Sequence, residues 1–144
     1  MNKMQEIKRF YDVLYAVSPR TRDVLEKLPD KIKMGTTEIR MRAGLPLAIT
    51  VENETVFVAI NGQTQFYISK NLFTVTKEDL EESFKRLCNN SVFAHESELS
   101  NGFIVMKNGS RAGVCGRFSK NGAMQDISSL NLCIAREFFG SAND

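Results

Sequence analysis

Apolar residues in the first thirty positions recur at intervals of three and four. Met4, Ile7, Tyr11 and Leu14 fall on one side of a helix, and Ser18-Pro19 supplies an N-cap and first-turn proline for a second. That second helix carries Val24, Leu25 and Leu28 and stops near Pro29, so the pattern predicts a helical hairpin over residues 1–34. From Thr37 the period drops to two: in TEIRMR, Ile39 and Met41 take one face while Glu38, Arg40 and Arg42 take the other. LAITV and VFVAI flank a polar turn at 52–54, and Asn61-Gly62 makes a turn before QFYIS. Thr76-x-x-Asp79 opens a helix bearing Leu80, Phe84, Leu87 and Cys88. Ser91 is expected to cap a shorter helix through Leu99, closed by Gly102. FIVMK, the turn Asn108-Gly109, SRAGVCGRF, the turn Asn121-Gly122 and LNLCIAR complete a run of strands. Helices and strands are segregated rather than alternating. This predicts an α+β fold: a mainly antiparallel sheet of short strands with two helices over 36–139, preceded by the N-terminal hairpin.

Length and composition narrow the class. At 144 residues the chain fits a single domain with its own core, and 42% hydrophobic with 25% charged residues is ordinary for a globular protein. The net charge is only +2, so no strong overall field draws in nucleic acid or anionic membrane, and any basic site has to arise locally. Cys88, Cys115 and Cys133 form no CxxC pair, which predicts reduced thiols in a cytosolic setting and no zinc or other metal site. No run approaches the roughly 18 apolar residues of a membrane-spanning helix.

Little in the chain predicts catalysis. His95 stands alone in FAHESELS, and Glu96 and Glu98, two apart on a helix, point in different directions. No GxxxxGK[ST] occurs, so no triphosphate is held by that route. Gly113-Val-Cys-Gly116 matches the GxxG that clamps nucleotide backbone in some RNA-binding domains, but it lies within a predicted strand. There, Gly113 and Gly116 are expected to mark a bulge or a close approach of another backbone, while Gly109 serves the preceding turn. The arginines are the remaining signal. On a regular strand Arg111, Gly113, Cys115 and Arg117 share a face, Arg40 and Arg42 share one on an earlier strand, and Arg136 ends the last. These five could converge on a phosphate or a partner carboxylate, or each could pair with a local acid such as Glu38 or Glu137.

EIRMRAGLPL (38–47), TVTKEDL (74–80), ESELSNGFIVMKNGSRAGVCGRF (96–118) and ISSLNLCIARE (127–137) together resemble the N-terminal region of the stage III sporulation protein AA family. These are secretion-type ATPases of endospore-forming bacteria. The resemblance implies a non-catalytic assembly and nucleotide-capping domain, joined by a linker to a RecA-like core that lies beyond Asp144. ATP and Mg would belong to that full-length parent and no cofactor to this chain. The implied partners are the ATPase core of the same protein, a hexameric ring of identical subunits, and membrane-channel sporulation proteins; no nucleic acid is expected. The implied location is the cytoplasm of the mother cell, peripheral to the membrane, where a channel to the forespore is assembled. Arg40, Arg42, Arg111 and Arg136 match the family's positions, and by analogy with related secretion ATPases Arg111 would approach nucleotide phosphates across a domain or subunit junction. Arg40, Arg42, Arg117 and Arg136 are the weaker candidates for that role. Ser110 stands where the family commonly has a histidine, and Cys133 where it often has another arginine. Two other classes stay open: a protein-interaction domain that docks a channel partner through the hairpin, and a nucleic-acid-binding module.

Overall fold

Capping chemistry fixes where the first helices begin. In the computed structural model, which describes residues 2–89, 96–118 and 124–136, α1 (Lys3–Tyr11) opens on a capping box. The Asn2 side chain accepts from the Gln5 N–H and the Gln5 side chain accepts from the Asn2 N–H. A 3₁₀ turn (Leu14–Ala16) leads to α2 (Pro19–Glu26), where the Ser18 hydroxyl accepts from the Thr21 N–H. Pro29 does end the second helical run, but it is also the N-cap of an unanticipated short helix, α3 (Asp30–Gly35). A proline blocks the helix before it and tolerates the start of the next, because the missing N–H would be unpaired there anyway. Helix α1 packs on α3, so the N-terminal helix pair is extended by a third element. The Thr76–Asp79 box starts α4 (Lys77–Leu87) as expected, and α5 (Glu96–Ser100) follows. Ser91, His95 and the Asn121-Gly122 turn lie outside the described residues.

The strands are β1 (Thr36–Arg42), β2 (Ala48–Val51), β3 (Glu54–Val58), β4 (Thr64–Gln65), β5 (Phe103–Val105), β6 (Arg111–Phe118) and β7 (Met124–Cys133). They form one antiparallel sheet in the order β4-β3-β2-β1-β7-β6-β5. The last strand in sequence is therefore inserted beside the first. The β2–β3 turn places Glu52 (φ 50°) and Asn53 (φ 68°) both in the left-handed region, the two-residue hairpin geometry that matches strand twist. QFYIS, expected as a strand, contributes only Gln65 to the sheet; Phe66, Tyr67 and Ile68 leave it and are exposed.

One face of the sheet carries the core. Ile39, Met41, Ile49, Ala112, Val114, Leu130 and Leu132 pack with Phe10, Leu14, Leu25, Leu80, Phe84 and Leu87 from the helical layer. The alternate residues Arg40, Arg42, Arg111, Cys115, Asn131 and Cys133 point the other way and are exposed or half-buried. The chain is thus an α+β domain with one polar, open sheet face. No helix among the described residues is long and apolar enough to cross a membrane.

Candidate functional site

Register decides which side chains meet on the open face. Strand β7 lies between β1 and β6, pairing Glu38 with Cys133, Arg40 with Asn131 and Arg42 with Ser129 on one side. On the other side it pairs Arg111 with Cys133, Gly113 with Asn131 and Cys115 with Ser129. The middle of the face is consequently floored by small side chains: Ser129, Asn131, Cys133, Gly113 and Cys115. Arginines rise on both sides of this trough, from strands about 10 Å apart. The expected sharing of a face by Arg111, Gly113, Cys115 and Arg117 fits the register, with Arg117 opposite Asp126. Register shifts at Cys115/Gly116 and Arg117/Phe118 leave the extra residues, Ser128 and Gln125, on β7 and so keep β6 in phase.

The five arginines differ sharply in what already engages them. Arg40 Nε lies 3.2 Å from Glu38 Oε1, which also accepts from the Thr50 hydroxyl at 3.2 Å. That Nε is buried and within ion-pair distance, yet not aligned to donate a hydrogen bond. Arg117 Nη2 donates to Asp126 Oδ2 at 3.0 Å. Arg111 has no carboxylate partner among the described residues; its guanidinium sits 4.9 Å from the centre of the Phe103 ring. Arg42 is exposed at the end of β1, and its side chain has no hydrogen bond or ion pair among the described residues. Glu137, the other acid considered for pairing, is outside the described residues.

Arg136 is not on this face. Its Nη1 donates to the Glu6 carbonyl at 2.6 Å, Nη2 to the Lys33 and Thr36 carbonyls at 2.6 and 2.9 Å, and Nε to Thr36 again at 3.1 Å. One guanidinium thereby binds α1, the end of α3 and the start of β1. Burial draws its pKa below the usual arginine value; nearby Glu6 opposes that and Arg9 adds to it. Its donors are committed to the fold, so the structure brings four of the five arginines onto one face and sets the fifth apart.

The glycines also divide. Gly109 has φ +88°, and its N–H donates to the Met106 carbonyl at 2.9 Å, as the predicted turn requires. Gly116 sits beside a register shift, but the extra residue is Ser128 on β7, so the bulge expected at Gly116 falls on the neighbouring strand. A Cβ at Gly113 would meet only Asn131 Cβ at 3.8 Å, ordinary contact, so no close backbone approach demands glycine there. Ser110, read from sequence only as a departure from a pattern, is buried and structural. Its hydroxyl accepts from the Ala135 N–H at 3.1 Å and its carbonyl from the Met106 N–H at 2.7 Å.

Cys115 and Cys133 are free, exposed thiols on the open face, while Cys88 is buried. Burial, with Glu98 adding to it, pushes the Cys88 thiol up to about 11. Burial and Glu38 raise Cys133 as well, with Arg40 opposing. Among the described residues no group of His, Cys, Asp and Glu could hold a metal ion.

A family model described as Sporulation stage III, protein AA matches residues 2–144. Among curated proteins, Stage III sporulation protein AA of Bacillus subtilis (strain 168) is 28% identical over 125 residues. That match covers 84% of this chain, and the chain spans only 36% of that relative's length. No solved structure matches.

Proposed function

We propose, on the premise that the chain belongs to the sporulation stage III protein AA family, that it is the non-catalytic assembly and nucleotide-capping domain of a longer ATPase. That parent would act in assembling the channel between mother cell and forespore. The observation that carries the reading is the pair of arginines, Arg42 and Arg111, on the two strands that flank β7 and without carboxylate partners among the described residues. Around them, Arg40 and Arg117 are already balanced by Glu38 and Asp126. A guanidinium fixed before the reaction stabilises phosphoryl charge without reorganisation at the moment of transfer. The small-residue trough lets a second surface come close enough for those side chains to reach it. In a ring of identical subunits, that surface would be the ATPase core of the same or a neighbouring subunit, which holds ATP and Mg.

The test is steady-state ATP turnover of the full-length protein. Arg111→Ala is expected to lower turnover about a hundredfold, the usual effect of losing one preorganised charge-stabilising donor. Arg42→Ala should act in the same direction, and Arg117→Ala should act weakly. Because both Arg42 and Arg111 are exposed, thermal midpoints should stay near that of the parent. Unchanged turnover in the folded Arg111 variant would overturn the capping role. A second reading, a docking domain for a channel protein, draws on the exposed Val105 and half-buried Phe103 beside Arg111, which add apolar area to the same face. It predicts loss of partner capture by the Arg111 variant with turnover intact.

A further inference from the structure

Among the described residues, a run of exposed apolar side chains lies away from the arginines. Phe66, Tyr67 and Ile68 are 69%, 66% and 65% exposed, and Ile60 on the adjoining turn is exposed too. Three consecutive large apolar residues in water are unusual on a monomeric surface. The loop is also held in place. Gln65 Nε2 donates to the Tyr67 carbonyl at 2.9 Å and the Ser69 hydroxyl at 2.7 Å, and Ile60 N–H donates to the Asn71 carbonyl at 2.8 Å. The side chains therefore project from a bend whose backbone is braced.

We propose that this loop inserts into the interfacial layer of an anionic lipid bilayer. Charge supports that occupant over a neutral or basic surface. Residues 55–77 contain no aspartate or glutamate, Lys70 stands within the loop, and Lys27 lines the groove beside Ile60 and Asn71. On α2, Asp23 is paired with Lys27 and Glu26 with Arg22, so these pairs are neutral overall and Lys70 is the cation the loop itself offers. Shape supports it as well. Successive residues around a bend present their side chains in different directions, which suits a fluid medium better than one rigid pocket. Phe and Tyr at the apolar–polar boundary with a lysine reaching toward headgroups is an arrangement that favours interfacial insertion.

The chain has no tryptophan, so Tyr67→Trp installs a single emission probe at the loop tip. With phosphatidylglycerol–phosphatidylethanolamine vesicles its emission should shift to the blue, and the unsubstituted 144-residue chain should float with them. Phosphatidylcholine vesicles should capture less. Phe66→Ser with Ile68→Ser should reduce partitioning by roughly tenfold or more, since burying one large apolar side chain is alone worth about that factor. Circular dichroism and the urea midpoint of that variant should match the parent, because the replaced side chains are exposed. No flotation of the unsubstituted chain, or equal flotation of the double variant, overturns the proposal. So does self-association abolished by the same substitutions without vesicle binding, which would assign the loop to a second copy of the chain.

Discussion

Arg136 and Arg111 carry the same guanidinium into opposite employments, and only their surroundings tell them apart. Arg136 gives its N–H groups to three backbone carbonyls, so Arg136→Ala leaves those acceptors without their donor and should cost about 2–4 kcal/mol in urea unfolding. Arg136→Lys should recover little, since a single ammonium cannot span Glu6, Lys33 and Thr36 at once. Asp79 is the acidic counterpart. Burial by itself raises its pKa, but hydrogen bonds from Arg20, Thr76 and Ser18 together outweigh burial and hold it below the ordinary 3.8. A carboxyl depressed on folding adds stability that is complete above its unfolded pKa and is lost as pH falls through the folded one. Unfolding measured between about pH 5 and pH 2 should therefore show a steep acid loss in the parent. Asp79→Asn should be less stable at neutral pH and flatter across that range. The capping role of Asp79 was legible in Thr76-x-x-Asp79. Its tie to Ser18 and Arg20, some sixty positions away in the chain, was not, because local spacing contains no information about which helix ends meet.

At the scale of elements, alternation and turn chemistry were read well where a strand has one buried face. TEIRMR became β1 with Ile39 and Met41 inward, and Asn108-Gly109 turned as its φ requirement implies. QFYIS failed for a physical reason: a strand needs a partner along its length, and beyond Gln65 there is none among the described residues. The glycines separate what local conformation demands from what packing demands. Gly62 has φ +88°, and a Cβ there would fall 2.5 Å from Lys27 Cβ and 2.8 Å from the Lys27 carbonyl oxygen. Gly62→Ala should cost on the order of 2–4 kcal/mol by thermal or urea unfolding, strain and overpacking combined. Gly113→Ala should stay within about 0.5 kcal/mol of the parent, as most unstrained substitutions do. Together the two variants test whether backbone conformation and Lys27, rather than mid-strand position, decide the need for glycine.

For the whole molecule, the consequence of inserting β7 between β1 and β6 is that residues far apart in sequence line one trough. Thiol alkylation reads that arrangement directly. In the native 144-residue chain Cys115 should label first and Cys133 more slowly, with Cys88 reacting only on unfolding because its thiol is buried and its pKa raised to about 11. If the open face docks on the parent's core, Cys115 and Cys133 should both be protected in the full-length protein; full labelling there would place the docking surface elsewhere. By itself the sequence determined the helix starts at Ser18 and Thr76, the alternating faces of β1 and β6, the turns at Asn61-Gly62 and Asn108-Gly109, and the family, since each rests on neighbours within a few positions. The tertiary structure alone decided that Arg136 belongs to the scaffold, that Arg40 and Arg117 are neutralised, and that Arg42 and Arg111 have no carboxylate partner among the described residues. Strand order and register set those pairings, and they follow from how the whole apolar face is buried rather than from any local pattern.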